Sequence, residues 1–265
     1  MNLMDEVSRI RKEGYSEANA EAKLCQDIII NAISKSSLNR NIAIKGGVVM
    51  RSLSGEIRRA TQDIDLDFIR YSISEDSINT FVNKLNCLEG IHLKITPPIE
   101  ELRHQDYKGK RVYIEVSDDE GNILSSKIDI GVHKDLDIEQ EEYCFDVCFD
   151  EASASVLINS KAQMITEKLK SILRFGTRST RYKDIFDICY LADQVDMEQL
   201  RRCIGKYIFD DSTLNISNID EMRKRAERIL ASDAYKRQVE KSGKNWLELS
   251  VDEVLKKDLK LLDKV

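Results

Sequence analysis

The chain has 265 residues, 42% of them hydrophobic and 33% charged, with only 11 Gly and 2 Pro, a composition that excludes a disordered chain and suits a helix-rich globular protein of one or two domains. Its formal charge of −6 argues against a protein that coats nucleic acid, because phosphate binding rests on a basic footprint. No stretch approaches the eighteen or so unbroken apolar residues of a membrane span, and Met1-Asn2-Leu3-Met4-Asp5-Glu6 lacks a basic region followed by a hydrophobic one, so a cytoplasmic protein with no membrane contact is expected.

In chain order, residues 4–37 read as one helix, with Leu24, Ile28, Ile29, Ala32 and Ile33 at helical spacing and no breaker before Ser36-Ser37-Leu38-Asn39-Arg40-Asn41. Residues 42–45 form a short strand that runs into Gly46-Gly47, and residues 48–53 form a helix that Gly55 ends. An acidic strand follows over residues 63–69. Residues 74–88 form an amphipathic helix, with Ile78, Phe81, Val82 and Leu85 on one face and Ser74 as its cap. A meander then runs through residues 91–95, a Pro97-Pro98 turn, residues 111–116, a hairpin at Asp118-Asp119-Glu120-Gly121-Asn122, and residues 126–132.

Residues 143–149 alternate with period two and read as a strand, and from residue 153 the periodicity is helical with almost no strand signal. A helix is expected over residues 156–173, from Ile158, Ala162, Ile165, Leu169 and Ile172, and another over residues 183–192. The expected fold class is α+β: a small mixed β-sheet core over residues 1–150 and a helical domain over residues 151–265. Cysteines 25, 87, 144, 148, 189 and 203 form no CxxC pair and read as small reduced hydrophobes; Cys144 and Cys148, roughly 13 Å apart on a strand, cannot alone make a tetrahedral metal site.

The chemistry concentrates in two acidic segments, Asp63-Ile64-Asp65-Leu66-Asp67 and Lys127-Ile128-Asp129-Ile130. Strict alternation on a strand sends every carboxylate to one face and every aliphatic side chain to the other. Asp63 and Asp65, roughly 6.5–7 Å apart at the backbone, are placed to share a divalent cation that offsets their mutual repulsion. Magnesium suits such oxygen ligands best.

Lys45-Gly46-Gly47, Arg59-Ala60-Thr61-Gln62-Asp63-Ile64-Asp65 and Lys127-Ile128-Asp129, followed by Glu167-Lys168-Leu169 and Arg181-Tyr182-Lys183-Asp184-Ile185-Phe186-Asp187, resemble the AbiEii/AbiGii nucleotidyltransferase toxins. These are the toxin half of type IV toxin–antitoxin or abortive-infection systems, on a DNA polymerase β-like nucleotidyltransferase fold. The resemblance spans residues 42–191. It implies a small mixed sheet with a helical C-terminal region, Mg²⁺, a nucleoside triphosphate cosubstrate, transfer of a nucleotide to a target such as a tRNA 3′ end, and a cognate antitoxin.

By the same resemblance Gly46 and Gly47 match the glycine motif and Thr61, Asp63 and Asp65 the metal-binding segment. Asp129 matches the third carboxylate, Lys168 the phosphate-binding lysine, and Asp184 the later acidic residue. Where many relatives carry Thr or Ser after the glycine pair, this chain has Val48, which removes a hydroxyl from side-chain contact with phosphate.

The residues themselves support separate roles. Gly46-Gly47 between strand and helix lets backbone N–H groups approach a phosphate, although a lone pair of glycines is more often a plain turn. Asp63, Asp65 and Asp129 suit two metal ions, one activating an attacking hydroxyl and one steadying pyrophosphate. Asp67 is not counted as a ligand, and a salt bridge to a basic neighbour suits it. Thr61 is placed to bond a phosphate or, as the resemblance suggests, to accept a modifying group; a β-favouring residue at a strand start is the plain alternative.

Lys168 is read as lying off the apolar stripe, free to neutralise triphosphate charge. Asp184 is read as orienting Lys168 or a substrate hydroxyl, and Asp187 as pairing with an arginine such as Arg181. The basic run Lys161, Lys168, Lys170, Arg174, Arg178, Arg181 and Lys183, against the single acid Glu167, suits polyphosphate or RNA or simply a solvated helix face. His92, His104 and His133 are scattered and none is assigned as a base. Besides nucleotidyl transfer to an RNA or a protein acceptor, with pyrophosphate leaving, two readings stay open: a metal-dependent nuclease, and a catalytically inactive module that acts through a protein partner.

Overall fold

A computed structural model describes residues 1–102, 109–150 and 152–265, and the chain divides into two units, residues 1–159 and 160–265. The first unit is built on a mixed sheet of β1 (Ile42–Lys45), β2 (Ile64–Phe68), β3 (Ile91–Leu102), β4 (Gly109–Asp118), β5 (Ile123–Val132), β6 (Glu141–Phe145) and β7 (Ala154–Ile158). Their order across the sheet is β3-β4-β5-β2-β1-β7-β6. The pairs β2/β5 and β1/β7 are parallel and the other four antiparallel.

Alternation decides the two faces. Ile64, Leu66 and Phe68 of β2, Val112, Ile114 and Val116 of β4, and Ile128 and Ile130 of β5 are all buried on one side. There α2 (Glu17–Lys35) meets β5 and β7, and α4 (Glu75–Leu85) meets β3. The residues between them carry the charges to the other side.

The single helix expected over residues 4–37 is two. Gly14, at φ +106°, ends α1 (Leu3–Lys12) in a conformation that side chains disfavour, and extended Ser16 begins α2. Pro97-Pro98 does not close a turn. It lies within β3, an edge strand whose register shifts between Thr96 and Glu100, where a residue without an N–H is tolerated. The alternation over residues 143–149 outlasts its strand, which stops at Phe145.

Residues 156–158, expected as the start of a helix over residues 156–173, instead belong to β7 beside β1, and α5 (Lys161–Phe175) starts only after the Ser160 cap accepts a hydrogen bond from the Gln163 N–H. A short apolar run such as Val156-Leu157-Ile158 suits either element, and pairing with Ala43 and Ile44 settles it as strand.

Strand β1 passes through Gly46-Gly47 into α3 (Gly47–Ser54), and α2 fixes this turn from behind. Buried Arg51 of α3 donates to Gln26 Oε1 at 2.8 Å and Asp27 Oδ1 at 3.2 Å, while Gln26 Nε2 donates to the Thr61 carbonyl at 2.8 Å. Asp27 also accepts from Lys23 at 2.6 Å and from the Cys148 N–H at 3.1 Å, so its buried charge is fully used. Gly47 lies so close to Thr61 that an added Cβ would stand 2.8 Å from the Thr61 Cβ.

The second unit is helical: α5, α6 (Lys183–Leu191), α7 (Met197–Ile204), α8 (Ile219–Leu230), α9 (Asp233–Lys241) and α10 (Val251–Lys264). Three cations of the basic run are used inside it. Lys170 and Arg174 meet Asp211 at 2.8 and 2.7 Å, and Lys168 meets Asp187. A small cavity among Leu169, Ile172, Ile188, Leu230 and Leu261 has Asp258 of α10 in its wall. Asp258 is 2% exposed, and neither of its oxygens has a hydrogen-bond partner among the described residues.

Burial holds the Asp258 carboxyl well above the usual aspartate range, with only partial opposition from Lys257. The folded chain therefore keeps a proton that the unfolded chain releases above pH of about 4. The stability contributed by this group is intact below that pH and declines as pH rises toward the folded-state value. Thermal melts from pH 5 to 9 should show Asp258→Asn flattening the decline and Asp258→Leu gaining at least about 1 kcal/mol at pH 8; loss of stability in Asp258→Leu at pH 8 would contradict the assignment.

Gly47→Ala should cost about 1–3 kcal/mol through overpacking against Thr61. Most of that loss should disappear in the Thr61→Gly background, as a denaturant double-mutant cycle would show. Additive losses would mean that the contact is not the cause.

Candidate active site

On the charged face of the first unit, one row crosses four neighbouring strands. Lys45 of β1 pairs in register with Asp65 of β2, Asp65 with Asp129 of β5, and Asp129 with Arg111 of β4. Adjacent strands lie about 4.7–4.9 Å apart, so the two central carboxylates sit side by side between two cations. Like charges directly opposite are unfavourable, and the flanking cations offset that cost.

Each acid is held by its own geometry. Arg111 grips Asp129 with two parallel bonds, Nε to Oδ1 at 2.7 Å and Nη2 to Oδ2 at 2.8 Å. The Asp129 side chain is 11% exposed and the Arg111 side chain 29%. The hydrogen bonds to Asp129 raise the Arg111 pKa further, so the guanidinium stays charged. Asp63, just before β2, meets Lys127 Nζ at 2.9 Å, and buried Asp67 meets Lys45 at 2.7 Å.

Gly46 completes the arrangement from below. Its φ of +70° and ψ of −140° suit a residue without a side chain, and a Cβ there would overlap the Asp65 carboxylate at Oδ2. The first-turn N–H groups of α3 have no acceptor within their own helix, and the Gly46 cap that precedes them packs against Asp65. Val48, the residue after the glycine pair, is wholly buried and faces the core.

A divalent cation fits this donor set in kind: carboxylate oxygens from adjacent strands share one face, and Gly46, without a side chain, leaves room for the Asp65 carboxylate. Among the described residues no three His, Cys, Asp or Glu side chains converge as a ready-made ligand cluster. Arg111 and Lys127 supply the positive charge at Asp129 and Asp63.

In the second unit, Lys168 is not free. It is three residues after Ile165 and four before Ile172, which puts it on the apolar stripe of α5. It is 9% exposed and donates to Asp187 Oδ2 at 2.6 Å and Asp184 Oδ1 at 3.4 Å. Asp187 therefore pairs with Lys168, not Arg181 as expected, and its other oxygen accepts from buried Trp246 Nε1 at 3.1 Å. Burial raises the Asp184 pKa against the pull of Lys168, and Asp184 Oδ2 has no hydrogen-bond partner among the described residues. Asp187 is accordingly the firm partner of Lys168 and Asp184 the weaker one.

Among the described residues no histidine contacts an acid of the row. His92 contacts Asp119 at 3.1 Å, His133 is buried against the Ile138 carbonyl and Gln140, and His104 lies outside the described residues. All six cysteines are free. Cys25, Cys189 and Cys203 are buried as expected, whereas Cys87 and Cys144 are exposed. Burial pushes the Cys25 thiol up to about 12, which leaves it unreactive.

No helix among the described residues is long and apolar enough to cross a membrane. No curated protein matches the sequence. A crystal structure of an antigenic nucleotidyltransferase-like protein from Paracoccidioides brasiliensis is 15% identical, with 80% of this chain and 97% of that chain covered and a TM-score of 0.43, a likeness too loose to carry weight. The family model for the nucleotidyl transferase AbiEii toxin of type IV toxin–antitoxin systems matches residues 28–257, which takes in both the acidic row and the Lys168 cluster. The chain belongs to the AbiEii family of nucleotidyl transferase toxins.

Proposed function

We propose that this toxin transfers a nucleotide from a nucleoside triphosphate to an RNA acceptor, such as a tRNA 3′ end, in a reaction dependent on Mg²⁺ held by Asp63, Asp65 and Asp129. The observation that carries the reading is the side-by-side placement of Asp65 and Asp129 above the Gly46 turn. In the reaction the acceptor oxygen bonds to the α-phosphorus, the bond to the bridging oxygen breaks, pyrophosphate leaves with the electron pair, and the hydroxyl proton passes to solvent.

The bound cation would lower the pKa of the attacking hydroxyl and offset charge on pyrophosphate. The protein's own part is positioning. Gly46 and Gly47 bring N–H groups to a phosphate without a side chain in the way. Thr61, fixed through its carbonyl by Gln26, offers a hydroxyl beside the same turn. Lys168 is the cation this reading assigns to the triphosphate, with Asp187 fixing it and Asp184 the partner that yields. A cognate antitoxin and a cytoplasmic setting complete the proposal, in which growth arrest serves phage defence.

One observation favours a second reading. Asp63 and Asp129 are already neutralised by Lys127 and Arg111, as in a fold that keeps its acids only as ion pairs and acts through a partner protein. Nothing comparable supports hydrolysis of RNA.

Incubation with labelled NTPs, Mg²⁺ and cellular RNA separates these readings. Wild-type protein should label RNA 3′ ends, and Asp63→Ala or Asp65→Ala should lower incorporation at least about 100-fold, equivalent to about 2.7 kcal/mol. Growth arrest should be lost with it. Arrest that persists in Asp63→Ala without incorporation would favour the partner-binding reading, and shortened RNA would indicate a nuclease.

Gly46→Ala should depress incorporation at least about tenfold by displacing Asp65, while Gly55→Ala should leave it near wild type. Gly55 also has positive φ, +68°, but an added Cβ there meets nothing within 4 Å. Circular dichroism establishes that both variants fold. Equal loss in the two would show that backbone strain, not the Asp65 contact, matters.

A further inference from the structure

Three acids on the charged sheet face each meet a lysine or arginine from a neighbouring strand: Lys127 for Asp63, Lys45 for Asp67 and Arg111 for Asp129. The Arg111 pair is the strongest in geometry. Both Asp129 oxygens are occupied, the bonds are parallel, and the carboxylate is nearly buried. An ion approaching Asp129 meets a carboxylate whose two oxygens each already accept from a guanidinium.

We propose that Arg111 is a counter-ion latch on Asp129, which holds the carboxylate in the resting protein and turns to the triphosphate when nucleotide and divalent cation arrive together. The inference rests on the reading of Asp63, Asp65 and Asp129 as cation ligands.

Charge balance supports it. A divalent cation arriving alone would add two positive charges beside Arg111, Lys127 and Lys45 and brings no anion of its own to receive a displaced guanidinium. A nucleoside triphosphate brings four negative charges, so cation and nucleotide together deliver a net anion. The released guanidinium then finds phosphate oxygens, for which its planar fork is as well matched as for a carboxylate. Titration cannot open the latch, because arginine stays protonated across the physiological range. The geometry therefore favours ordered or joint binding, in which the resting toxin does not load its cation until the nucleotide is present.

Manganese binding to the full chain, followed by the electron paramagnetic resonance signal of free Mn²⁺, tests the latch without any activity measurement. Arg111→Gln should bind Mn²⁺ without nucleotide at least about tenfold more tightly than wild type, and Arg111→Lys, which keeps the charge but loses the fork, should fall between them. With a non-hydrolysable triphosphate analogue present, wild type should gain Mn²⁺ affinity and Arg111→Gln should bind the analogue more weakly.

Unchanged or weaker Mn²⁺ binding in Arg111→Gln overturns the latch and makes Arg111 a fixed support for Asp129. Should Arg111→Gln fail to fold by circular dichroism, Arg111→Lys decides alone, and its equality with wild type without nucleotide overturns the proposal. Failure of the underlying reading looks different: wild type would then bind no Mn²⁺ even with the analogue, or Asp65→Asn would leave that binding unchanged.

Discussion

The charged face of the sheet depends on one constraint: four strands whose side chains alternate between two faces must place their polar residues in rows. Because β4, β5, β2 and β1 are neighbours in register, Arg111, Asp129, Asp65 and Lys45 have no choice but to stand in line. The apolar residues between them, among them Val112, Ile128, Ile64 and Ile44, fill the core under α2 and α4. A register slip of one residue in any of these strands would bury a charged side chain and expose an aliphatic, so packing on one face enforces the order of charges on the other. The chemistry of the row is thus stabilised by a core that never touches it.

That arrangement also explains how so dense an acidic patch folds. Asp65 and Asp129 in adjacent strands would repel each other, and strands disfavour aspartate in any case. The opposing cations lie at the sides of the row and above it, on strands that already neighbour the acids. None has to reach from a distant loop, so little side-chain freedom is lost in forming the pairs. The Gly46 turn carries the remaining cost, since the backbone there adopts a conformation whose use is to leave room for the Asp65 carboxylate.

Much of this was legible from period-two alternation alone, which placed Asp65, Asp67 and Asp129 on strands and the glycine pair between strand and helix; Asp63, expected on the same strand, lies just before it. The cations were not, because alternation shows which face a residue takes but not which residue it meets. A signal was nonetheless present. Arg111 and Asp129 are equidistant from Glu120, at the centre of the expected hairpin, so the hairpin alone put them opposite each other. The parallel neighbour, β2 beside β5, is a long-range pairing that no local pattern encodes.

In the helical unit the same kind of error has the opposite origin. Lys168 looked exposed because it is charged, yet its spacing from Ile165 and Ile172 places it in the apolar stripe. Asp258 is alike, with Val254 and Leu255 before it and Leu261 and Leu262 after it at helical intervals. Charge type and spacing gave conflicting indications, and spacing prevailed at both positions. The two buried groups nonetheless behave differently, because their surroundings differ. Lys168 finds Asp187, itself anchored by Trp246, so its charge is kept and fixed in place. Asp258 finds no such partner among the described residues, so burial favours its protonated, uncharged form. A buried ionisable group is therefore informative through what faces it. The paired lysine is a fixed cation in a family whose substrate carries phosphate, whereas the solitary aspartate shapes the stability of the unit.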